Sequence, residues 1–163
     1  MSKAFTREDS GLQEQPETIE RAVTLPEGAR NYLTPGGAAR MQAELQELVD
    51  SLPSSLTESE KATRDRRVDE LQAILQSAEV LPPPPAPHDR VRFGATVTVR
   101  DGSGEEMSYR IVGADEIDLD QDWVSWISPI ARALLNARLG QKVPFKFPSG
   151  ETELEVIRIE YLE

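Results

Sequence analysis

The residues that could do chemistry in this chain are carboxylates, and several of them lie close together in DSLPSSLTESEK, residues 50–61. Asp50, Glu58 and Glu60 offer hard oxygen atoms, the donor type that Mg²⁺ takes. Glu58 and Glu60 are the candidate metal-directed pair. The same acids have a structural reading. Thr57 and Glu60 have capping-box spacing, and acids in the first turn of a helix are favoured by its dipole. Other site chemistries are excluded by composition. With no cysteine there is no thiol nucleophile, disulfide or thiolate zinc site. A single histidine, His88, cannot build a His-rich metal site, and its place behind a proline run reads as an exposed linker position.

Two segments of helical spacing flank this stretch and would position it. In the first, Thr34 is a candidate N-cap and Pro35 suits the first helical position. Gly36 and Gly37 weaken that first turn by about 1 kcal/mol each relative to Ala. Met41, Leu45, Leu48 and Leu52 then form one apolar seam, and Pro53 ends the element. The second helix begins near Thr57 and carries Val68, Leu71, Leu75 and Ala78 as its seam. Two seams joined by a short bend make an antiparallel helical hairpin over residues 31–81. LPPPPAP then stops the helix, and residues 82–90 read as a stiff, extended linker. Residues 1–30 are polar, without a steady period, and read as a flexible tail in which Ile19, Val23 and Leu25 could pack locally.

From Val91 the period changes. VRFGATVTVR and EEMSYRIVG flank the turn DGSG, WVSWI is a further strand, and KVPFKF and ETELEVIRIEYL flank PSG. Between them SPIARALLNARLG reads as a short helix with Ser128 as N-cap, Pro129 at the first position and Gly140 as its stop. Residues 91–163 are therefore expected to form a small α+β domain, an antiparallel sheet packed on that helix through Ile130, Leu134 and Leu135. Trp123 and Trp126 read as core or half-exposed strand residues. ADEIDLDQD, residues 114–122, reads as a solvated acidic loop.

The formal net charge is −11, and acids exceed bases in the tail, the hairpin and the sheet domain alike. Gripping bare nucleic acid needs clustered Lys and Arg, which this chain lacks. A protein partner with a basic surface suits it better. No apolar run is long enough to span a membrane, the N-terminus has no signal-like apolar stretch, and the cytoplasm is the expected compartment.

LTPGGAARMQAEL, DRRV, FGATVTV, YRIVGADEID, SPIARALL, LGQKV, PSGE and IEYL occur in this order and spacing, and together they resemble the bacterial GreA/GreB family of transcript elongation factors. The resemblance covers residues 31–163. It implies a coiled-coil hairpin followed by an FKBP-like domain. That domain would dock on the rim of the secondary channel of RNA polymerase while the hairpin enters toward the active centre. It further implies that acids at the hairpin tip help hold a polymerase-bound Mg²⁺, so that polymerase cuts the RNA. The factor is then an accessory, not an enzyme, with no cofactor of its own, and it meets nucleic acid only through the transcription complex. Ile127, Ser128, Pro129 and Arg132 fall at the docking segment. Arg64, Arg66 and Arg67 fall where relatives' basic residues meet RNA or the channel wall; pairing with acids such as Asp69 and Glu70 is the alternative.

The chain departs from the family where that chemistry resides. Family tips carry a motif resembling SENAEY on a long hairpin, and nothing like it appears here. The first arm, residues 35–51, is about 25 Å long at 1.5 Å per residue. Loss of about seven residues from each arm would withdraw a tip by about 10 Å, against a ligation distance of about 2 Å. Ile127 replaces a usual Asp or Asn and could expose an apolar spot at the interface. Three functions follow: a polymerase-binding regulator without efficient cleavage stimulation, an active cleavage factor using Glu58 or Glu60, and a non-transcriptional interaction module, for which the fold alone would suggest prolyl isomerisation.

Overall fold

The computed structural model describes residues 25–51 and 53–162, and the statements below concern those residues. Most of the expected tail, including Ile19 and Val23, lies outside them, as does Leu52 of the first seam. Helix α1 (Pro35–Asp50) opens on Thr34, whose Oγ1 accepts from Gly37 N at 3.0 Å. Helix α2 (Glu58–Ser77) opens on a reciprocal capping box: Thr57 N donates to Glu60 Oε2 at 2.7 Å, and Glu60 N donates to Thr57 Oγ1 at 3.2 Å. The helices form the expected hairpin. Leu33, Met41 and Leu71 are its buried centre, with Leu45, Leu48, Ile74, Leu75 and Ala78 packed around them.

The open end of the hairpin is closed by a pair of two-residue strands. β1 (Tyr32–Leu33) runs parallel to β2 (Glu79–Val80), with Glu79 N donating to Asn31 O at 2.8 Å and Leu81 N to Leu33 O at 3.0 Å. Strands this short have no readable period, so the sequence pattern carries no sign of them.

Five further strands form the second sheet: β3 (Ala95–Arg100), β4 (Glu106–Val112), β5 (Trp123–Ser125), β6 (Lys142–Phe147) and β7 (Gly150–Tyr161), in the order β5-β4-β3-β7-β6. The sheet is mixed, not antiparallel as expected, because β5 pairs parallel with β4. A parallel return needs a crossover. Residues 113–122 supply it through two 3₁₀ turns, Ala114–Glu116 and Leu119–Gln121. The WVSWI strand is shorter than expected, because Ser128 N turns back onto Ser125 O at 2.9 Å and begins helix α3 (Pro129–Leu134).

Ala131 and Leu134 of α3 are buried on Val91, Ala95, Val97, Val99, Ile111, Leu154 and Val156, with Ile130 and Leu135 alongside as the sequence implied. The helix stops earlier than expected. Asn136 takes the left-handed conformation (φ 68°), which Asn tolerates, and Gly140 (φ 83°) serves the following turn instead.

The proline linker is strapped to the sheet domain and does not stand free. His88 is half-buried, its ring 4.6 Å from that of Tyr161, with Nε2 3.1 Å from Pro84 O. Tyr161 Oη donates to Arg90 O at 3.0 Å and accepts from Arg92 N at 3.1 Å. The exposed position expected for His88 is therefore replaced by a packing position.

Truncating Leu71, which has no solvent exposure, is expected to destabilise the hairpin by about 2–5 kcal/mol. Val49→Ala, at a residue 47% exposed, should change stability by no more than about 0.5 kcal/mol. Chemical denaturation of the two variants measures both values.

Candidate functional site

At the hairpin tip the acids are already engaged. Glu60 closes the capping box, and its carboxyl is held below the ordinary glutamate range, chiefly by the hydrogen bond from the Thr57 backbone N–H. Glu58 lies 3.0 Å from Lys61 Nζ, with its side chain 92% exposed. Asp50 Oδ2 accepts from Gln46 Nε2 at 2.8 Å. Among the described residues no group of three or more Asp, Glu, His or Cys side chains is arranged to hold a metal.

The three arginines of α2 do not form one basic face. Arg64 turns inward: its Nε donates to Leu48 O at 2.8 Å, and its Nη2 donates to the same oxygen. That carbonyl lies in the last turn of α1, where carbonyls lack helical partners. Arg67 makes a two-toothed bond to Glu44 across the hairpin, at 2.7 and 2.9 Å, and reaches Glu70 at 2.8 Å. The pairing lowers the Glu44 pKa, first through the Arg67 hydrogen bond, and raises that of Arg67. Arg66 alone of the three is exposed and without an ion pair among the described residues. The Arg67–Glu70 pair follows from helical spacing. The cross-hairpin partners Glu44 and Leu48 depend on the register of the two arms, which spacing does not give.

On the sheet domain, the candidate docking segment divides into inward and outward residues. Ile127 is buried at 8% exposure, so the expected exposed apolar spot does not form. Its backbone N donates to Ser125 Oγ at 3.3 Å. Ser128 Oγ accepts from Ala131 N at 3.3 Å as the N-cap, while Pro129 and Arg132 face solvent. The side chains offered at this corner are therefore a proline, an arginine and a half-buried serine hydroxyl.

The residue that the sequence reading missed is Glu116. It lies in the stretch read as a solvated acidic loop, yet its side chain has no exposure. Glu116 Oε2 accepts from Thr34 N and Gly113 N, both at 2.9 Å, while Thr34 Oγ1 donates to Oε1. Arg40 Nη2 is 3.6 Å from Oε1. The carboxylate therefore occupies the N-terminus of α1, where free N–H groups and the helix dipole favour negative charge. A methyl group at Gly37 would overlap Glu116, and one at Gly113 would overlap the carbonyl oxygen of Tyr32.

Around this carboxylate, Asn31 Nδ2 donates to Asp115 Oδ2 at 2.8 Å and Tyr32 stacks edge-on against Trp126 with centroids 5.2 Å apart. Arg40 and Arg110 each place a guanidinium 4.7 Å from the centre of the Trp123 ring. The pKa of Arg110 is lowered, first by burial and then by Arg40. A signal for the junction was present in TPGG: two glycines in a first turn weaken a helix unless something must approach it closely.

A family model described as "Transcription elongation factor, GreA/GreB, C-term" matches residues 86–161, the linker end and the sheet domain. The GreB of Neisseria meningitidis serogroup A is 35% identical over 156 residues, covering 82% of this chain and 96% of that protein. The chain belongs to the GreA/GreB family of transcription elongation factors. Other GreA/GreB relatives agree. GreB of Pseudomonas aeruginosa is 38% identical over 150 residues (79% of this chain, 89% of that protein), and GreA of Legionella pneumophila strain Corby is 30% identical over 161 residues (93% and 99%). A solved GreA/GreB structure from Nitrosomonas europaea aligns with 81% of this chain and 100% of its own at 24% identity. Its TM-score is 0.44, too loose a superposition to bear on how the parts are arranged.

Two outcomes follow for this GreA/GreB hairpin. Arg64→Ala leaves the last turn of α1 without its charged donor and should cost about 1–3 kcal/mol in thermal unfolding, with Arg64→Lys unable to restore the two-nitrogen contact. A carboxyl whose folded pKa is depressed adds stability above its unfolded pKa and loses it as pH falls through the folded value. The first turn of α2 should therefore fray on acidification. Carboxyl-carbon NMR should show Glu60 titrating below the ordinary glutamate value in the native chain, and nearer to it in Thr57→Ala.

Proposed function

We propose that this GreA/GreB protein binds RNA polymerase at the rim of the secondary channel and regulates elongation without efficiently stimulating transcript cleavage. The sheet domain docks through the exposed Pro129 and Arg132 beside the Ser128 cap, and the hairpin points into the channel. The observation that carries the second half of the reading is the state of the tip. The Glu60 carboxylate is bound to its own helix N-terminus, and Glu58 is paired with Lys61. A carboxylate that must leave a capping box before it can meet a metal is a weakened ligand.

The arms support the same reading. α1 has 16 residues and α2 has 20, or about 24 and 30 Å at 1.5 Å per residue. The alignment with the Neisseria GreB spans 156 positions, more than 82% of a 163-residue chain can fill, so part of that relative has no counterpart here. Any Mg²⁺ in this account belongs to polymerase. The protein is an accessory factor, and nucleic acid is met only inside the transcription complex. A factor that acts on polymerase in this way would work in the cytoplasm.

Glu58, largely exposed at the tip, is the residue on which the opposite reading would rest. Backtracked elongation complexes separate the two. The protein is expected to be retained by core polymerase, to shorten backtracked RNA no faster than its Glu58→Ala, Glu60→Ala double variant, and to slow cleavage by an active family member added in competition. Rapid RNA shortening that disappears in the double variant would establish the cleavage-factor reading instead. Absence of polymerase binding would remove both.

A further inference from the structure

We infer that Glu116 is a positioning residue, a carboxylate clasp that fixes the angle of the hairpin relative to the polymerase-facing sheet domain. The inference rests on the proposed function for its biological meaning, but its geometry stands without it. The hairpin is joined covalently to the sheet domain only through residues 82–90. A hairpin held by one strand of chain pivots unless other contacts stop it.

Those contacts converge at the α1 N-terminus. Glu116 is bound by Thr34 on the hairpin side and by Gly113 on the sheet-domain side, so a single side chain joins the two units. Arg40 reaches from α1 to both Glu116 and the face of Trp123. Tyr32 packs on Trp126 and Phe93. Both close approaches are made possible by glycine: Gly37 beneath the carboxylate and Gly113 against the Tyr32 carbonyl.

This junction resists bending for a physical reason. Rotation about the base of α1 would take the Thr34 N–H, the Thr34 hydroxyl and Arg40 away from the Glu116 carboxylate and leave it only the Gly113 N–H of its own unit, and a buried charge short of partners is strongly disfavoured. The hairpin is also a lever. With an arm of about 24 Å, a rotation of about 10° at the base moves the tip by about 4 Å. The angle set at Glu116 therefore decides what the tip meets inside the channel.

The chain has no cysteine, so spin labels can be placed cleanly at Ser55→Cys in the tip and Lys146→Cys on β6, both exposed positions. Pulsed dipolar spectroscopy on the full chain should give one narrow distance. Glu116→Ala, which removes the clasp, and Gly37→Ala, which wedges it open, should shift or broaden that distance by about 4 Å or more, as the lever requires. Glu116→Gln keeps the shape and the oxygen that accepts from Thr34 N and Gly113 N, its NH2 can donate to Thr34 Oγ1, and it should stay close to the parent. Polymerase retention should be preserved in all of them, and the effect on paused complexes should fall in the first two only.

Unchanged distances in both Glu116→Ala and Gly37→Ala would overturn the inference, as would a broad distance in the parent. Loss of the whole circular dichroism signal in both variants would overturn it too, by assigning Glu116 to folding instead of positioning. Failure of the parent to bind polymerase would defeat the proposed function and leave the distance result intact.

Discussion

The arrangement of this molecule depends on one buried carboxylate at one helix end. Helix α1 begins with N–H groups that have no partner within the helix, and an ordinary N-cap such as Thr34 satisfies only one of them. Here Thr34 Oγ1 takes the Gly37 N–H, and Glu116, from the crossover after β4, takes the N–H of Thr34 itself and that of Gly113. Removing a carboxylate from water is costly on its own. The cost is offset by two N–H donors, a hydroxyl donor, a guanidinium and the positive end of α1, all directed at the same group. What would be a liability in a core serves as a joint between two units.

Other features follow from that joint. The glycines of TPGG lower helix propensity, yet Gly37 is where the carboxylate must approach. β1 and β2 are too short to be stable alone, but they set the start of α1 and the end of α2 at one level, so that Thr34 reaches the crossover. The crossover is tightened into two 3₁₀ turns, which bring β5 back parallel to β4 and place Trp123 under Arg40 and Arg110. At the far end of the hairpin polar groups are consumed locally, Arg64 by a carbonyl of α1 and Glu60 by the start of α2. The tip is built to hold its own turn together, and the proposed loss of cleavage stimulation is consistent with that use of its side chains.

Much of this was legible in the amino-acid order. The seam of Met41, Leu45 and Leu48, the Thr57–Glu60 box and the Ser128–Pro129 start are local patterns whose physics acts within four residues, and each stands in the structure. Features set by distant parts of the chain were not. Glu116 sits among Asp115, Asp118, Asp120 and Asp122, and nothing in composition distinguishes the one buried acid from its exposed or half-buried neighbours. The parallel pairing of β5 depends on a crossover path, the engagement of Arg64 and Arg67 on the register of two helices, and the packing of His88 on a tyrosine 73 positions along the chain. Ile127 read as a residue that could expose an apolar spot, because its neighbours in sequence do not show that the fold buries it.

The central claim is that the Glu116 clasp is part of the stable native structure and not a contact that opens and closes freely. Amide hydrogen exchange of the native chain tests it at the atoms concerned. The N–H of Thr34, which Glu116 binds across the two units, should exchange as slowly as β3 amides in the core, because freeing it requires the hairpin to leave the sheet domain. Exchange of the Thr34 amide at the rate of a fraying helix end, while the β3 amides stay protected, would contradict the account.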